Sequence, residues 1–440
     1  MYSVTPPRAN LFSGKHTRRL KFGLIAAVLA CVGVDIARVG YLAYLDYGDP
    51  RTALRLRPSD PSATLKLADE RMQEQRLAQI RAKLGVATAP AENANPLSSQ
   101  EIEQMRQDVE AALAREPLDA GGVRLLGELR NDSSSKPLML AALDLSKHEN
   151  RALGWLIADS LKNGSYKESL DYLDILLRSD PVFIQPMALV LVAMLENAAI
   201  RPDVTRLLTT NPPWSRQMLP ILLQRIGNPD AAVSLLSTLK EQHADNVDEL
   251  VNVYSRRLLG EKNFETAFSA WRRLLAPDQS AKLKNIYNGD FSLARSGSPF
   301  DWTFSNVNGV SIGIVETNES SPARALRLEY GVGRAAAHSV SEIVKLAPGR
   351  FKFGGSYKGA LIGPRGHIWR LVCVNGAGNI IGQSELIFGA GEQWRDFSFD
   401  VDVPDHDCPF QRVELFLDAR SASESLVSGQ ILYRNLWLAP

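Results

Sequence analysis

The sequence predicts a multidomain chain of α and β parts: one N-terminal transmembrane helix, an α-solenoid of stacked helix pairs, and a C-terminal antiparallel β-sandwich of jelly-roll form. Three observations predict it. An apolar run lies within the first fifty residues, Leu and Ala recur at three- and four-residue spacing from Thr52 to about Lys284, and the period becomes two thereafter. Residues 1–21 read as a basic cytoplasmic tail, 22–47 as the transmembrane helix, 48–284 as the helical domain with a linker near 86–100, and 285–440 as the sandwich. The 440 residues leave room for two or three domains of roughly 100–200 residues each. Lys plus Arg number 50 against 49 for Asp plus Glu, a net charge of +1, so no concentrated basic face argues for nucleic acid. Three cysteines without a CxxC pair exclude a disulfide scaffold.

Arg8, Lys15, Arg18, Arg19 and Lys21 precede the run from Phe22 to Val34, which Asp35 and Arg38 interrupt before it resumes to Leu45. Taken as the span, Phe22 to Gly40 reaches roughly 28 Å, close to the hydrocarbon thickness of a bilayer. Tyr41, Tyr44 and Tyr47 then fall at the far interface, and Asp35 and Arg38 pair one turn apart and snorkel toward it. An uncleaved signal anchor with a cytoplasmic N-terminus is the reading adopted, since the basic cluster precedes the run, although Arg51, Arg55 and Arg57 follow it. A cleaved signal peptide lacks an A-x-A site, and a lipoprotein at Cys31, through Val28-Leu29-Ala30-Cys31, stays open as the alternative.

The helical part repeats itself. Gly164 to Leu177 overlies Glu261 to Leu275, matching Tyr166 with Phe264, Ser169 with Ala267, and Leu173 with Trp271. Val109 to Pro117 overlies Leu173 to Pro181 in the same way, at about two periods of roughly 32 residues. An aromatic residue, a small residue three later and a large apolar one four after that resemble the tetratricopeptide repeat. In such a unit Ser169 and Ala267 let two helices approach, while Tyr166, Leu173, Phe264 and Trp271 fill the groove between them. The resemblance implies a curved solenoid with protein partners on its surface; a plain spacer is the competing reading.

After Lys284 come alternating segments at Trp302–Phe304, Ala325–Tyr330, Arg350–Phe353, Ile368–Val374, Phe397–Val403, Val413–Leu417 and Ile431–Leu438. Turn signals such as Ala347-Pro348-Gly349 separate them, and eight or nine short strands without helices read as a jelly roll. The Asn288–Phe291 and Pro299–Trp302 segments, Leu346–Gly349 and the last strand resemble a carbohydrate-binding-module-like, galactose-binding-like sandwich. Where that resemblance implies a calcium ligand in the last strand, this chain has Arg434-Asn435, so no calcium is expected. Anchor, repeats and sandwich together resemble bacterial envelope proteins associated with exopolysaccharide production, which implies an inner-membrane, single-pass protein with its bulk in the periplasm.

Sugar recognition in such a domain would use exposed rings. The candidates are Trp394, Tyr357, Trp302 and Trp369, of which Trp302 and Trp369 sit in alternating runs that favour the core and Trp394 follows a glycine-rich turn. Enzyme motifs are absent: Lys358 stands where Gly354–Gly359 would need glycine for a nucleophile elbow, and no phosphate loop, HExxH helix or carboxylate pair stands out. His367, Cys373, His406 and Cys408 are the residues that would ligate a metal, but a Cys373–Cys408 disulfide is the better reading in an oxidising compartment. The expectation is a non-enzymatic envelope scaffold supporting polysaccharide synthesis, assembly or export. It has protein partners, polysaccharide as a second partner, the membrane through its N-terminal helix, and no cofactor, metal or nucleic acid. The alternative is a carbohydrate-binding envelope protein acting through the sandwich.

Overall fold

The computed structural model describes residues 44, 48–83, 97–243, 246–317, 324–331, 333–337, 339–374 and 378–440. The apolar run with Cys31 and most of the expected linker lie outside the described residues, and among those described no helix is long and apolar enough to cross a membrane. The chain divides into two compact units, Met1–Asp180 and Pro181–Pro440.

The first unit is helical: α1 (Pro50–Leu56), α2 (Pro61–Lys83), α3 (Ser99–Leu113), α4 (Ala120–Arg130), α5 (Ser135–Leu145), α6 (Asn150–Lys162) and α7 (Tyr166–Ser179). The linker expected to reach residue 100 ends earlier. Ser98 caps α3 in a reciprocal capping box with Glu101, which satisfies two backbone donors at once. Consecutive helices pack in pairs over Leu65, Met105, Val109, Leu125, Leu126 and Leu129. Close approach needs small residues. A Cβ on Gly127 would stand 3.1 Å from Cβ of Leu138, and Ser169, fully buried on α7, donates its hydroxyl to the Ile157 carbonyl of α6 at 3.4 Å.

The second unit opens with α8 (Ile184–Glu196), α9 (Arg201–Thr209), α10 (Ser215–Leu223), α11 (Pro229–Glu241), α12 (Val247–Gly260), α13 (Phe264–Arg273) and the one-turn α14 (Pro277–Ser280). Arg257 donates to the Leu223 and Ile226 carbonyls at 3.0 and 2.7 Å, closing the C-terminal end of α10 with a cation where helix carbonyls lack partners. Among the described residues nine strands follow: β1 (Val310–Glu316), β2 (Arg324–Tyr330), β3 (Val340–Val344), β4 (Gly349–Ile362), β5 (His367–Cys373), β6 (Ile380–Gln383), β7 (Gly389–Val403), β8 (Gln411–Leu417) and β9 (Ser428–Ala439).

They form two antiparallel sheets, β1-β2-β9-β4-β7 and β3-β8-β5-β6. Leu326, Leu328, Phe353, Ile431 and Tyr433 of the first face Trp369, Leu371, Val413 and Leu415 of the second across one core. A polar strut crosses that core. The His367 ring nitrogens lie 2.5 Å from the Tyr330 hydroxyl and 3.0 Å from that of Tyr433. The edge of β3 is covered, since Thr303 and Ser341 exchange backbone bonds and Ile343 N–H reaches the Pro299 carbonyl.

Several strand expectations need correction. Trp302–Phe304 is not a strand, because only Thr303 makes an isolated bridge. The strands β1, β3 and β6 lay outside the alternating segments. Strands β4 and β7 run 14 and 15 residues rather than being short. In β3 the cause is chemical, for Glu342 occupies a core-facing position opposite Val413.

Phe264 and Trp271, assigned above to the groove between paired helices, meet rings of the sandwich. Phe264 lies 5.7 Å from Phe410, and Trp271 lies 5.1 Å from Tyr287 and 5.4 Å from Phe300. Phe268 joins them, 5.3 Å from Phe300 and 5.8 Å from Phe410. Glu342 sits behind this cluster, accepting the Tyr287 N–H at 2.8 Å. Burial pushes its carboxyl well above the usual range; the Tyr287 bond opposes the rise and the Asp301 charge adds to it. The folded state therefore holds a proton that the unfolded chain releases above about pH 4.3, so stability falls as pH rises toward the folded value, by about 1.4 kcal/mol per pH unit. Glu342→Gln is expected to flatten this slope in urea denaturation between pH 5 and 8. Parallel slopes for parent and variant would refute the burial account.

Candidate functional site

The functional candidate is the face of the five-stranded sheet that turns away from the core. Its geometry starts in β4, where a strand of mostly bulky residues carries Gly354. A Cβ there would stand 2.6 and 2.9 Å from Cζ2 and Cε2 of Trp437, so the indole packs directly onto the bare backbone. Trp437 nevertheless remains 41 % exposed, an indole supported from beneath and open to solvent.

Strand β9 reaches this arrangement through a bulge. Tyr433, Leu436 and Leu438 face the core, so the two-residue period slips by one between Tyr433 and Leu436. Asn435 takes a left-handed conformation at φ 50°, and the pairing with β4 shifts between Gly354 and Ser356. Arg434 and Trp437, three residues apart, thereby point to the same outer face. The Leu436 N–H bonds to the Gly289 carbonyl at 2.9 Å, tying the bulge to the chain that enters the sandwich.

Beside Trp437 the same face carries polar groups. Ser356 donates its hydroxyl to Asp396 at 2.7 Å, and the Arg434 guanidinium lies 3.9 Å over the Trp394 ring. The Lys358 ammonium stands 5.9 Å from that ring centre. One row across the sheet reads Arg327, Leu432, Lys358, because Leu432 pairs with Arg327 on β2 and with Lys358 on β4. A hydroxyl, a carboxylate, two kinds of cation and an open indole within a few residues suit a ligand with an apolar C–H face and many hydroxyls.

The ring candidates from the sequence fare differently. Trp302 and Trp369 are fully buried and pack edge to face at 5.9 Å, so they belong to the core and offer no platform. Tyr357 is half-buried with its ring 6.1 Å from Phe397 and 6.4 Å from Tyr433. Trp394 lies within strand β7, not in a turn, and the ring that would stack on sugar is half-buried under Arg434. Among the repeat residues, Ser169, Leu173, Ala267, Phe264 and Trp271 are buried and Tyr166 is half-buried. Trp437, Arg434, Lys358, Ser356 and Asp396 were missed. The one signal for them was a glycine doublet inside an aromatic-rich strand, which marks a close backbone approach.

The proposed metal ligands are otherwise engaged. Cys373 and Cys408 form a disulfide with Cα atoms 5.1 Å apart, His367 spends both nitrogens on tyrosines, and His406 pairs with Asp405 at 2.5 Å. Asp290, in the segment where the resemblance implies calcium, is held by Lys282 at 2.7 Å, and the late position is the cation Arg434, so these residues do not fit the ion.

No protein-family model and no curated protein matches the chain. Among solved structures it is similar to the enzymatically active domain of tailspike protein 4 of bacteriophage CBA120, at 14 % identity and a TM-score of 0.26, over 35 % of this chain and 21 % of that one. It is similar to a structure titled "CBM4 structure and function", at 12 % identity and a TM-score of 0.26, over 35 % of this chain and 99 % of that one. A third likeness is TmCBM61, solved with β-1,4-galactotriose, at 15 % identity and a TM-score of 0.25, over 36 % of this chain and 98 % of that one. The assignment as a two-sheet antiparallel sandwich rests on the strand order itself, and the carbohydrate-binding modules stand beside it as similar structures.

Proposed function

We propose that this chain is a non-catalytic carbohydrate-binding protein of the cell envelope, anchored by its N-terminal apolar run, that supports polysaccharide synthesis, assembly or export. One observation carries the reading: Trp437 packs on Gly354 with 41 % of its surface open, on a face that also carries Ser356, Asp396 and Arg434 in the adjoining row. An indole fixed in this way covers the C–H face of a pyranose without losing side-chain freedom on binding, while the polar neighbours bond its hydroxyls. The disulfide supports a periplasmic location, since such bonds persist outside reducing compartments.

A protein partner is the second reading. A cavity of about 550 Å³ in the first unit, with Leu54, Leu67, Ala68 and Met105 on its floor and Arg71, Glu101, Asp108 and Arg115 around it, favours a short amphipathic segment. The sugar reading is tested by electrophoresis of the full-length chain through gels containing polysaccharide. Trp437→Ala is expected to weaken retardation roughly five- to tenfold and Trp437→Phe to restore part of it. Equal retardation of parent and Trp437→Ala would remove the outer face from the account.

A further inference from the structure

We propose that the outer face of the four-stranded sheet, on the side of the sandwich away from Trp437, docks an acidic peptide segment of a partner protein, an inference independent of the sugar-binding reading. Val340, Val344, Val413, Leu415, Trp369 and Leu371 face the core, so the residues that alternate with them face outward. Arg370 on β5 and Glu414 on β8 stand directly opposite each other on that face, and Arg412 lies one row away. Both arginines turn to the one carboxylate: Arg370 Nε donates to Glu414 Oε1, and Arg412 Nε donates to Oε2 at 3.1 Å. Among the described residues of these four strands Glu414 is the single acid facing outward, since Glu342 faces the core.

Two guanidiniums to one carboxylate leave a positive charge over, and that charge is accessible. The Glu414 side chain is 9 % exposed, against 32 % for Arg370 and 44 % for Arg412. Bonding through Nε leaves the terminal nitrogens of each guanidinium without a protein partner among the described residues. Arg370 is also held by its stack over Phe416, 4.2 Å from the ring centre, so its fork of donors is set before a ligand arrives. The flanks are apolar and partly exposed, with Ile343 paired to Arg412 and Ile368 paired to Phe416. A pyranose finds no platform here, because the Arg370 guanidinium covers the ring it would stack on. An extended peptide fits better: a carboxylate side chain meets the arginines, and an aliphatic one two residues along falls on the next row of the sheet.

Three fluorescein-labelled peptides of equal length test this by anisotropy with the full-length chain: alternating Glu and Leu, alternating Gln and Leu, and alternating Glu and Ser. The Glu-Leu peptide is expected to bind roughly tenfold more tightly than the Gln-Leu peptide, a difference that shrinks at 0.5 M NaCl as screening grows. It should also bind severalfold more tightly than the Glu-Ser peptide. Arg412→Gln should weaken the Glu-Leu peptide roughly fivefold, and Arg412→Lys, which keeps the charge and loses the fork, should weaken it less. Arg370 still holds Glu414 in both variants, and urea denaturation checks that each is folded. Trp437→Ala, on the opposite face, should leave peptide binding unchanged. Equal binding of the Glu-Leu and Gln-Leu peptides overturns the inference. So does a loss on Trp437→Ala as large as that on Arg412→Gln, which puts the peptide on the other face. Displacement of the Glu-Leu peptide by polygalacturonate at equal carboxylate concentration shows a general anion surface and overturns it too.

Discussion

Arg124→Ala is expected to destabilise the helical unit of residues 48–180 by about 3–5 kcal/mol. The Arg124 side chain is 4 % exposed and reaches Asp69 at 2.7 Å, Glu149 at 3.0 Å and Glu128 at 3.1 Å. Glu128 is equally buried, and Arg76 and Arg151 complete the network at 2.7 and 3.5 Å from it. Removing the central guanidinium takes a cation from all three carboxylates: Glu128 and Asp69 keep other arginines, while Glu149 keeps no ion pair among the described residues, and an uncompensated buried charge costs more than the pair contributes. Burial alone would raise the Asp69 carboxyl, but the Arg124 charge and hydrogen bond hold it below the usual range. Its contribution is thus present above the unfolded value near pH 3.9 and is lost as pH falls through the folded one. Arg124→Met separates volume from charge, because it keeps an apolar stem of similar reach. Urea denaturation at pH 7 is expected to find both variants well below the parent. A methionine variant as stable as the parent would mean that packing, not the ionic network, holds α2, α4 and α6 together.

Removing the disulfide with Cys373→Ala and Cys408→Ala is expected to cost about 3–4 kcal/mol, because the bond closes a 35-residue loop whose unfolded entropy is otherwise restored. The effect should spread beyond the loop. Phe410, two residues after Cys408, packs on Phe264 and Phe268 of α13, and Gln411 accepts the Leu346 N–H at 2.9 Å. A freed loop therefore loosens the seam by which the last helix pair joins the sandwich. Hydrogen exchange should show lost protection in α13 as well as in β5 and β8. Thiol labelling of the denatured, non-reduced parent should find one reactive cysteine of three, Cys31. Three reactive thiols, or unchanged protection in α13, would overturn this account.

Local periodicity made much of the architecture legible. Leucine and alanine at helical spacing marked the helical half, and segments such as Ala325–Tyr330 and Val413–Leu417 alternated because one face of each strand meets the core. Two cysteines within the β region pointed to one pairing. The capping box of Ser98 and Glu101 was also local, but its Ser98 lay in the stretch near 86–100 read as a linker. Strand β3 escaped because a buried glutamate interrupts its pattern, and Trp394 was placed in a turn because glycines flank a strand that tolerates them at an edge.

By itself the sequence determined where the helical part gives way to the β part and which residues of its alternating segments avoid water, since these follow from side-chain spacing along the chain. Only the tertiary structure decided which side chains share a surface. Arg434 and Trp437 stand three residues apart, a spacing that puts side chains on opposite faces of a regular strand, and the bulge at Asn435 brings them together. Arg124 finds Asp69 across 55 residues, and Arg151 finds the same acid across 82. Phe264 and Trp271 carry an aromatic pattern that resembles a repeat's yet pack on sandwich rings, because the last helix pair before the sandwich turns its apolar face to the chain that follows it. Each depends on the path of a second segment, and a one-dimensional period holds no information about that path.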